Sequence, residues 1–463
     1  MTNAATIVGL GISGFGAALL LGKKGWGVRV TEQDDSPEIK EKLQRLIKRG
    51  INIKFEIGRH TRDFIKGVNL VITSPGVANT SKPLMWAKEL NIPIIDEIEL
   101  GYRFCPARIV AVTGTNGKST TTTLIGEILK KGGYNAVICG NIGHSFCEKS
   151  LGLKEDDIIV LEVSSFQLQR INEFRPYVSV FMNITQNHFD RHKDFKEYLN
   201  AKLNIFKNQR KTDWAVLNYD DKNLKGIDKN LRPNILYFGN SPTPKGAFIK
   251  DGAIYVDTNG RAQRLFYADE LPLRGEHNLQ NYMAAILVGL IFKVEPEVMR
   301  KVLKNFKGLG HRCEFITEIE GVRFVNDSKA TTVDATMHAI RSLDGAIVLI
   351  AGGRDKGSDF TVLRGLIEER VKAIILIGEA KAKIKTQLLG TAPLYEARDL
   401  KEAVQIGFNV ASKSDFVLLS PMCASFDMFK NFEERGNVFK KAIKLLKEGT
   451  LKKRCKIQQG IST

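Results

Sequence analysis

One lysine of this chain stands where it could bind the phosphates of a nucleotide. Lys118 follows the glycine-rich segment TGTNG and precedes Ser119, whose hydroxyl could hold magnesium. Glycines let backbone N–H groups converge on an anion, and the lysine adds positive charge at the start of the next helix. The G-x-x-x-x-G-K-[ST] pattern is incomplete, because Val112 stands where its first glycine is expected. The segment is therefore a shorter variant, which favours a nucleotide-binding loop over a plain strand-to-helix turn.

Further side chains could take part in such a site. An apolar run ends on Glu162, which a buried parallel strand would deliver to the phosphates as a magnesium ligand. His188 lies in a polar loop with a second histidine and an aspartate, where metal binding and ordinary polar surface are equally good interpretations. Lys202 lies on a predicted amphipathic helix, which alone predicts a solvent-exposed residue. Asn278 and Asn281 open an apolar helix and could face a base edge or cap the helix.

A second glycine-rich turn lies near the N-terminus. Gly9-x-Gly11-x-x-Gly14 follows the apolar run 6–8 and opens an apolar helix, the order that a dinucleotide-binding fold requires. Glu32 comes 18 residues after Gly14, where an acidic residue commonly binds a ribose hydroxyl. This pattern alone favours a nicotinamide-dependent enzyme. The same helix N-terminus binds any diphosphate, however, including that of a nucleotide sugar, and such glycines also serve tight packing.

Strands and helices that alternate along the whole chain must position these residues, and they predict an α/β fold with mostly parallel sheets. In the last third, three predicted strands each end in a polar segment: 326–331, 352–357 and 420–425. Ligands of open parallel sheets bind at this carboxyl edge. An earlier turn, 73–76, lies at the same kind of edge, and binding and structural roles are equally compatible with it. The predicted domains cover residues 1–105, 106–311 and 312–463.

The composition excludes several classes of protein. Lys and Arg number 69 and Asp and Glu 51, which gives a formal net charge of +18 over 463 residues. Because the lysines are scattered, this charge favours small anionic ligands over nucleic acid. The six cysteines form no C-x-x-C pair, which indicates a reducing compartment, the cytoplasm. No apolar run has the length of a membrane helix, and glycines interrupt the stretch 7–21, so we expect neither a membrane span nor a signal peptide.

Four segments together resemble the Mur ligases, the amino-acid-adding enzymes of peptidoglycan synthesis. They are TGTNGKST, VNDSKAT, AGGRDKG and LLSPMCASFDMFKNFEERGNVF, which begin at Thr113, Val325, Ala351 and Leu418. The resemblance covers essentially the whole chain, and the last segment is typical of the branch that adds D-glutamate. It implies a Rossmann-like N-terminal domain for a uridine nucleotide, a central P-loop ATPase domain, and a C-terminal Rossmann-like domain for the amino acid.

The reaction implied by this resemblance joins D-glutamate to UDP-N-acetylmuramoyl-L-alanine through an acyl phosphate. ATP and two magnesium ions are the implied cofactors, and we expect a monomer without nucleic-acid or membrane partners. Other Mur ligases and folylpolyglutamate synthase-like ligases share the phosphate loop and the general plan. Alternatives from other classes are a nicotinamide-dependent oxidoreductase and a non-catalytic nucleotide-binding protein.

The resemblance also assigns residues to subsites. The phosphate loop comprises Gly114, Thr115, Asn116, Gly117, Lys118, Ser119 and Thr120. The residues assigned to adenine and ribose are Asn278, Asn281, Arg312, Asp327 and Lys329. Those assigned to the UDP-linked substrate are Ile12, Ser13, Glu32, Gln33, Ser74, Pro75, Gly76 and Asn141. Those assigned to D-glutamate are Thr331, Lys356, Ser425 and Phe432.

Metal binding and catalysis are implied for a small subset of these positions. Ser119 and Glu162 match the family's ligands of the first magnesium ion, and His188 matches a ligand of the second. Lys202 matches a lysine that is carbamylated in the family and serves as an additional carboxylate. Lys118, His188 and Lys202 are thus the implied catalytic residues. His188 and a phosphate oxygen are both candidates for the base that deprotonates the incoming amine.

Overall fold

Three separate β-sheets organise the chain. The computed structural model describes residues 3–185, 194–258, 260–355 and 357–460, with side chains up to residue 449. The sheets have five, nine and six strands, and helices flank them. The predicted α/β class with three mostly parallel sheets is therefore confirmed.

The first sheet is entirely parallel. Its strands are β1 (Ala4–Val8), β2 (Gly27–Glu32), β3 (Ile53–Ile57), β4 (Leu70–Thr73) and β5 (Ile94–Asp96). Its helices are α1 (Ile12–Lys23), α2 (Pro37–Lys48), α3 (Lys82–Glu89) and α4 (Glu97–Phe104). The strand order is β3-β2-β1-β4-β5. The turns after β1, β2 and β4 consequently lie side by side at one edge.

The second sheet contains the phosphate loop. Its strands are β6 (Arg108–Thr113), β7 (Ala136–Gly140), β8 (Ile158–Glu162), β9 (Val178–Phe181), β10 (Trp214–Asn218), β11 (Asn234–Gly239), β12 (Gly246–Lys250), β13 (Ala253–Asp257) and β14 (Gln263–Tyr267). Its helices are α5 (Lys118–Lys131), α6 (Phe146–Ser150), α7 (Ser165–Leu168), α8 (Phe195–Leu203), α9 (Glu276–Ile291) and α10 (Pro296–Asn305). The order is β14-β13-β12-β11-β10-β9-β6-β8-β7, and only β12, β13 and β14 pair antiparallel.

The third sheet has one antiparallel edge. Its strands are β15 (Glu314–Ile319), β16 (Val322–Asn326), β17 (Ile347–Gly352), β18 (Val371–Ile377), β19 (Leu394–Glu396) and β20 (Phe416–Leu419). Its helices are α11 (Val333–Arg341), α12 (Arg364–Arg370), α13 (Lys381–Leu388), α14 (Leu400–Val410) and α15 (Phe432–Gly460). The order is β15-β16-β20-β17-β18-β19, with β15 antiparallel to β16. The three polar strand exits predicted from the sequence follow β16, β17 and β20.

The central strands are buried along their whole length. Every residue of β8, β17 and β20 is buried, because helices cover both faces of a parallel sheet. This environment explains why these strands read as continuous apolar runs. Glu162 is the one charged residue in the three strands, and it stands at the carboxyl end of β8.

Contacts divide the chain into two units, Met1–Phe306 and Lys307–Thr463, and the third sheet forms the second unit. The finer domain boundaries, after residues 105 and 311, stay predictions. Among the described helices, none is both long and apolar enough to cross a membrane.

Glu97 is buried where α4 packs against α6. Its Oε1 accepts a hydrogen bond from the backbone N–H of Cys147 at 2.6 Å. The Cys147 thiol donates to the Glu97 carbonyl oxygen, with the sulfur at 3.3 Å. Because burial disfavours the charged form, it raises the pKa of Glu97 to about 7.

We expect Glu97→Gln to remove a pH dependence of stability. The folded-state pKa lies above the ordinary value of 4.5, so the contribution of Glu97 is fully present below that value and is lost as the pH rises through about 7. Above that range the variant should be more stable than the wild type by up to about 3 kcal/mol. Urea unfolding at acid and mildly alkaline pH measures the difference, with Glu41→Gln on the exposed side of α2 as control. A difference that does not change with pH would contradict this expectation.

Candidate active site

The turn after β6 requires close approach of the backbone. Gly114 and Gly117 have φ angles of 150° and 80°, a region that favours glycine. A Cβ at Gly114 would lie 2.9 Å from Met182 Cβ, and one at Gly117 would lie 2.4 Å from Asn281 Oδ1. α5 begins directly afterwards at Lys118. The positive end of the α5 dipole is thus placed at the turn, as an anion site requires.

Asn183, two residues after the end of β9, braces this turn. Its Oδ1 accepts the N–H of Asn116 at 2.8 Å, and its Nδ2 donates to the Asn116 carbonyl at 3.2 Å. Its own carbonyl accepts the N–H of Thr115 at 2.9 Å. The sequence analysis did not single out Asn183, although a polar residue close to the end of a buried strand was a usable signal. Its side chain fixes the shape of the phosphate loop.

Two lysine side chains converge on one carbonyl of the loop. Lys118 Nζ donates to the carbonyl oxygens of Gly114 at 3.0 Å and Thr115 at 2.7 Å. Lys202 Nζ donates to the same Gly114 oxygen at 2.8 Å. Lys202 is only 2% exposed, so it is not the solvated lysine that its helix alone predicts. Burial first, and then the Lys118 charge, lower the pKa of Lys202 well below its usual value, and the Glu162 charge opposes them.

Glu162 is positioned by the two strands beside β8. The register pairs Glu162 with Val112 of β6 and with Gly140 of β7, and the residue is 2% exposed. Asn141, directly after β7, donates from Nδ2 to Glu162 Oε1 at 2.8 Å. The structure therefore brings together a predicted metal ligand and a residue assigned to the UDP-linked substrate.

The side chains at this strand exit fit a magnesium ion that travels with a nucleotide. Ser119, in the first turn of α5, and Glu162 offer hydroxyl and carboxylate oxygens, the ligand type that magnesium prefers. The described residues contain no group of three or more His, Cys, Asp or Glu side chains able to hold a metal. Magnesium in nucleotide sites takes one or two protein carboxylates together with phosphate and water oxygens. Ser119 and Glu162 therefore provide the kind and number of protein ligands that a nucleotide-bound magnesium ion requires.

Asn281 is buried and faces the phosphate loop. Its Oδ1 accepts a hydrogen bond from Thr121 Oγ1 at 3.1 Å, and its Nδ2 donates to Asn278 Oδ1 at 3.3 Å. Asn278 in turn donates to the Arg274 carbonyl at 2.8 Å. α9 begins after Gly275 without a side-chain cap. The helix-capping interpretation of the two asparagines is therefore wrong, whereas contact with a base edge stays a prediction.

The N-terminal candidate residues gather at the carboxyl edge of the first sheet. Glu32 Oε2 accepts the N–H of Leu10 at 2.6 Å, and Ser74 Oγ donates to the Gly9 carbonyl at 3.0 Å. A Cβ at Gly14 would lie 1.9 Å from the Gly9 oxygen, so α1 starts as close to the turn as glycine permits. Glu32 and Ser74 thus hold the glycine-rich turn in place. The other assigned residues stand in α1 or in the turns after β2 and β4: Ile12, Ser13, Gln33, Pro75 and Gly76.

The loop after β7 reaches this same region. A Cβ at Gly16 of α1 would lie 1.7 Å from Ser145 Oγ, so α1 packs directly against the residues that follow Asn141. The contact between α1 and α6 continues this packing. Asn141 is therefore carried by a segment that joins the first sheet to the strand exits of the second.

In the second unit, the exits of β16 and β20 meet the start of α15. Asp327 is buried and accepts hydrogen bonds from Ser420 Oγ at 2.9 Å and from the Cys313 N–H at 3.1 Å. Burial raises the pKa of Asp327 to about 7. Lys329 Nζ lies 5.0 Å from the centre of the Phe432 ring. The remaining assigned residues lie in the adjoining turns: Arg312, Thr331 and Ser425.

Arg435 connects two of these exits and was missed by the sequence analysis. It is 1% exposed and donates to Ser328 Oγ at 3.0 Å and the Ser328 carbonyl at 2.8 Å. It also donates to the Cys423 carbonyl at 3.1 Å. An arginine near the start of a helix is ordinarily exposed, so its burial follows from tertiary packing. Its place within the segment that begins at Leu418 is the signal that could have indicated it.

Two assigned residues, His188 and Lys356, lie outside the described residues. Their assignment to the second magnesium ion and to the amino acid stays a prediction.

The glycine turn after β6 leads into α5 at Lys118, and the buried carboxylate of Glu162 lies at the end of the neighbouring strand β8. This arrangement defines a nucleotide-binding protein of the P-loop type. Three family models match successive parts of the chain: the Mur ligase MurD-like N-terminal domain over residues 3–96, the Mur ligase middle domain over 112–289, and the Mur ligase glutamate ligase domain over 311–423. The chain belongs to the Mur ligase family.

Curated relatives extend the similarity over nearly the whole length. The UDP-N-acetylmuramoylalanine–D-glutamate ligase of Thermoanaerobacter sp. (strain X514) is 42% identical over 446 residues, 94% of this chain and 97% of the relative. The protein with the same name from Koribacter versatilis (strain Ellin345) is 40% identical over 444 residues, 96% of this chain and 97% of the relative.

Solved structures show the same fold at lower identity. A UDP-N-acetylmuramate-alanine ligase from Thermotoga maritima superposes with a TM-score of 0.61 and 20% identity. The match covers 96% of this chain and 100% of that one. A MurF ligase from the same organism, in complex with ADP, has a TM-score of 0.56 and 15% identity over 90% of this chain and 95% of that one. These likenesses concern the fold alone.

Proposed function

We propose that the protein is an ATP-dependent ligase that adds D-glutamate to UDP-N-acetylmuramoyl-L-alanine. Family membership makes it a ligase, and the names of relatives at 40% and 42% identity support D-glutamate as the amino acid. The observation that carries the reaction type is the position of Lys118 at the start of α5, directly after the glycine turn, with the buried carboxylate of Glu162 at the end of the neighbouring strand β8. Positive charge at a phosphate loop, with a metal-binding carboxylate at the next strand exit, suits phosphoryl transfer.

Amide formation needs an activated carboxyl group, because a free carboxylate would have to expel oxide. ATP supplies the phosphoryl group that converts this carboxylate into an acyl phosphate, and magnesium supplies positive charge beside it. Lys118 would bind phosphate oxygens at the N-terminus of α5, and Ser119 and Glu162 would hold the first metal ion. Because these groups are already in position, little reorganisation is needed as charge develops. The proposed base for the incoming amine is His188 or a phosphate oxygen.

For Lys202 we propose a carbamate, which would serve as a ligand of a second magnesium ion together with His188. An ammonium at this position would be buried beside the Lys118 ammonium and would repel a divalent cation. The lowered pKa of Lys202 favours the neutral amine, the form that combines with carbon dioxide. A carbamate instead presents an anionic oxygen to the metal.

The proposed substrate sites follow the strand exits. The glycine-rich turn after β1 and the N-terminus of α1 suit the diphosphate of the UDP-linked substrate. Because Asn141 is hydrogen-bonded to Glu162, this site connects to the proposed phosphoryl-transfer site. In the second unit, the turns with Thr331 and Ser425 are proposed for D-glutamate, together with Phe432, whose ring lies beside Lys329. The residues proposed for adenine and ribose are Asn278, Asn281, Arg312, Asp327 and Lys329.

We also infer a cytoplasmic monomer, divided into a UDP-substrate domain, an ATP domain and an amino-acid domain at about residues 105 and 311. The cytoplasmic assignment rests on the substrates, since ATP and UDP-linked precursors are cytoplasmic. Sedimentation of the purified protein tests the monomer. Limited proteolysis near the two proposed boundaries tests the domains.

The decisive experiment is to incubate the protein with ATP, magnesium, UDP-N-acetylmuramoyl-L-alanine and D-glutamate. The expected product has the mass of the substrate plus one glutamyl residue, with ADP formed in equal amount. A product formed only with another amino acid would identify a different ligase of the family. Binding of NAD without binding of any UDP-linked ligand would overturn the proposal in favour of an oxidoreductase.

Ser425→Ala is expected to raise the KM for D-glutamate about tenfold or more and to leave the KM for ATP nearly unchanged. Ser425 is 2% exposed, and a hydrogen bond to a charged group is worth about 1.5–3 kcal/mol. Lys356→Ala should act in the same direction. Steady-state kinetics with each substrate varied measure the effect, and Ser412→Ala, at the opposite end of β20, is the control. Equal changes in both KM values would remove Ser425 from the amino-acid pocket.

A further inference from the structure

A short segment after α7 is anchored on the first sheet by one buried carboxylate. Glu99 of α4 is fully buried, 0% exposed. Its oxygens accept backbone N–H groups at 2.9–3.1 Å from three consecutive residues: Asn172, Glu173 and Phe174. Three convergent N–H donors fix the backbone of this segment. These hydrogen bonds also restrict the backbone position of Arg170, which lies two residues before Asn172.

Arg170 spans two elements of the first sheet. Its Nη1 donates to Asp96 Oδ1 at 3.2 Å, and its Nη2 donates to Asn79 Oδ1. Asp96 is 1% exposed and Arg170 is 19% exposed. A guanidinium holds its planar fork rigidly, so the buried Asp96 carboxylate orients the donor that Arg170 offers to Asn79.

Asn79 belongs to the loop 74–79, between β4 and α3. This loop begins with Ser74, which binds the Gly9 carbonyl at 3.0 Å, and it contains Pro75 and Gly76. Its first residues are thus fixed to the glycine-rich turn of the same sheet. Arg170, in contrast, reaches the far end of the loop from the chain segment that follows β8 and α7. The loop is held from both the first and the second sheet.

We propose that Arg170 is a positioning residue, which holds the loop 74–79 in the conformation that binds the UDP-linked substrate. This inference rests on the proposed function, because Ser74, Pro75 and Gly76 were assigned to that substrate. Arg170 lies eight residues beyond Glu162, so the same segment carries the proposed metal ligand and the anchor of the loop. Arg170 sets the position of the UDP-linked substrate relative to the phosphate loop and touches neither ATP nor the amino acid.

Asn79→Ala tests the contact between Arg170 and the loop. Asn79 is exposed, and the substitution leaves the pair of Arg170 with Asp96 intact, so the variant should fold normally. We expect the KM for UDP-N-acetylmuramoyl-L-alanine to rise about tenfold, the effect of losing one charge-assisted hydrogen bond. The KM values for ATP and D-glutamate should stay within about twofold of the wild type. Thr80→Ala, in the adjacent exposed position, is the control.

Arg170→Met tests the anchor itself. Burial already raises the pKa of Asp96 to about 7, so Asp96 can take up a proton when its cation is removed. The expected result is the same selective rise in KM for the UDP-linked substrate, with Arg170→Lys intermediate. Arg175→Met is the matched control, because Arg175 pairs with the buried Asp213 in the same way, at 2.8 Å. Arg175 lies five residues beyond Arg170. Its substitution should lower the stability of the protein without changing the KM for the UDP-linked substrate.

Calorimetric titration with UDP-N-acetylmuramoyl-L-alanine gives a second readout that needs no turnover, and it should show the same weakening. If the wild type neither binds nor converts this substrate, the proposed function fails. If the wild type converts it and Asn79→Ala keeps the wild-type KM and affinity, the positioning role fails. A rise in all three KM values would also overturn it, since that pattern indicates general damage. Should Arg170→Met not fold, Asn79→Ala alone decides.

Discussion

Lys118→Ala is expected to reduce turnover by at least about a hundredfold, the scale seen when one preorganised charge or donor is removed from a transition state. Lys118 is half-buried at the first position of α5. Its hydrogen bonds go to two carbonyls of its own loop, Gly114 and Thr115. The substitution therefore removes the cation intended for the phosphates and takes no apolar contact out of the core.

The fold should tolerate this change. A typical intramolecular hydrogen bond contributes about 0.5–1.5 kcal/mol net, and Lys118 donates to loop carbonyls and not to the core, so a modest shift of the melting curve without gross unfolding is expected. Lys130→Ala is the matched control, because Lys130 stands on the same helix and pairs with Glu127 at the surface. Retained activity in Lys118→Ala, or gross unfolding of it, would show that the loop does not work as proposed.

Loss of Lys118 has a second consequence at Lys202. The Lys118 charge is one of the causes that lower the pKa of Lys202, so its removal should raise that pKa. A smaller fraction of neutral amine would then be available at Lys202. The two lysines are coupled, and a double variant should lose less activity than the product of the two single effects.

The parts of the fold that follow from local pattern could be predicted from the sequence. Strands β6, β8 and β20 are apolar runs because helices cover both faces of the sheet. Such runs can be recognised directly in the sequence. The apolar helix predicted at the N-terminal glycine-rich turn is present as α1. The glycine turns at Gly9 and Gly114 were likewise visible, since close backbone approach demands glycine whatever the rest of the chain does.

Elements that depend on neighbours in the sheet were harder to predict. The antiparallel strands β12, β13 and β14 end the second sheet, and β14 forms its edge. Strand β14 alternates poorly between buried and exposed positions. Strand β15 likewise pairs antiparallel at the edge of the third sheet. Edge strands bury little apolar surface, so their sequences carry a weak signal.

The burial of individual polar residues depends on the tertiary structure. Lys202 and Arg435 stand on helices whose sequences look solvent-exposed, yet they are 2% and 1% exposed. Asn281 touches the phosphate loop from a helix far along the chain. Such contacts join distant segments, 88 residues apart for Lys202 with Gly114, 107 for Arg435 with Ser328 and 160 for Asn281 with Thr121. No local periodicity encodes them. Only the resemblance to a family drew attention to Lys202 in advance, whereas the position of Asn281 at the start of an apolar helix already suggested a contact with a base edge.

Lys202→Ala is expected to be nearly inactive, because the proposed carbamate supplies an anionic oxygen to the second magnesium ion. The carbamate forms when the neutral amine attacks carbon dioxide, a step that makes one C–N bond and releases one proton. Burial and the Lys118 charge both favour the neutral amine by lowering the pKa of Lys202. Lys196→Ala, an exposed lysine on the same helix, is the matched control and should keep full activity.

Rescue of Lys202→Ala distinguishes a carboxylate from a cation at this position. Alanine leaves a buried space beside the Gly114 carbonyl, and a small acid such as acetate or formate can enter it and replace the missing anionic oxygen. Partial recovery with short acids, and none with methylamine, is the expected result. Recovery with methylamine alone would mean that Lys202 acts as an ammonium. Full activity of the unrescued variant would mean that the buried lysine serves neither the metal nor the phosphate, and that its burial is only a matter of packing.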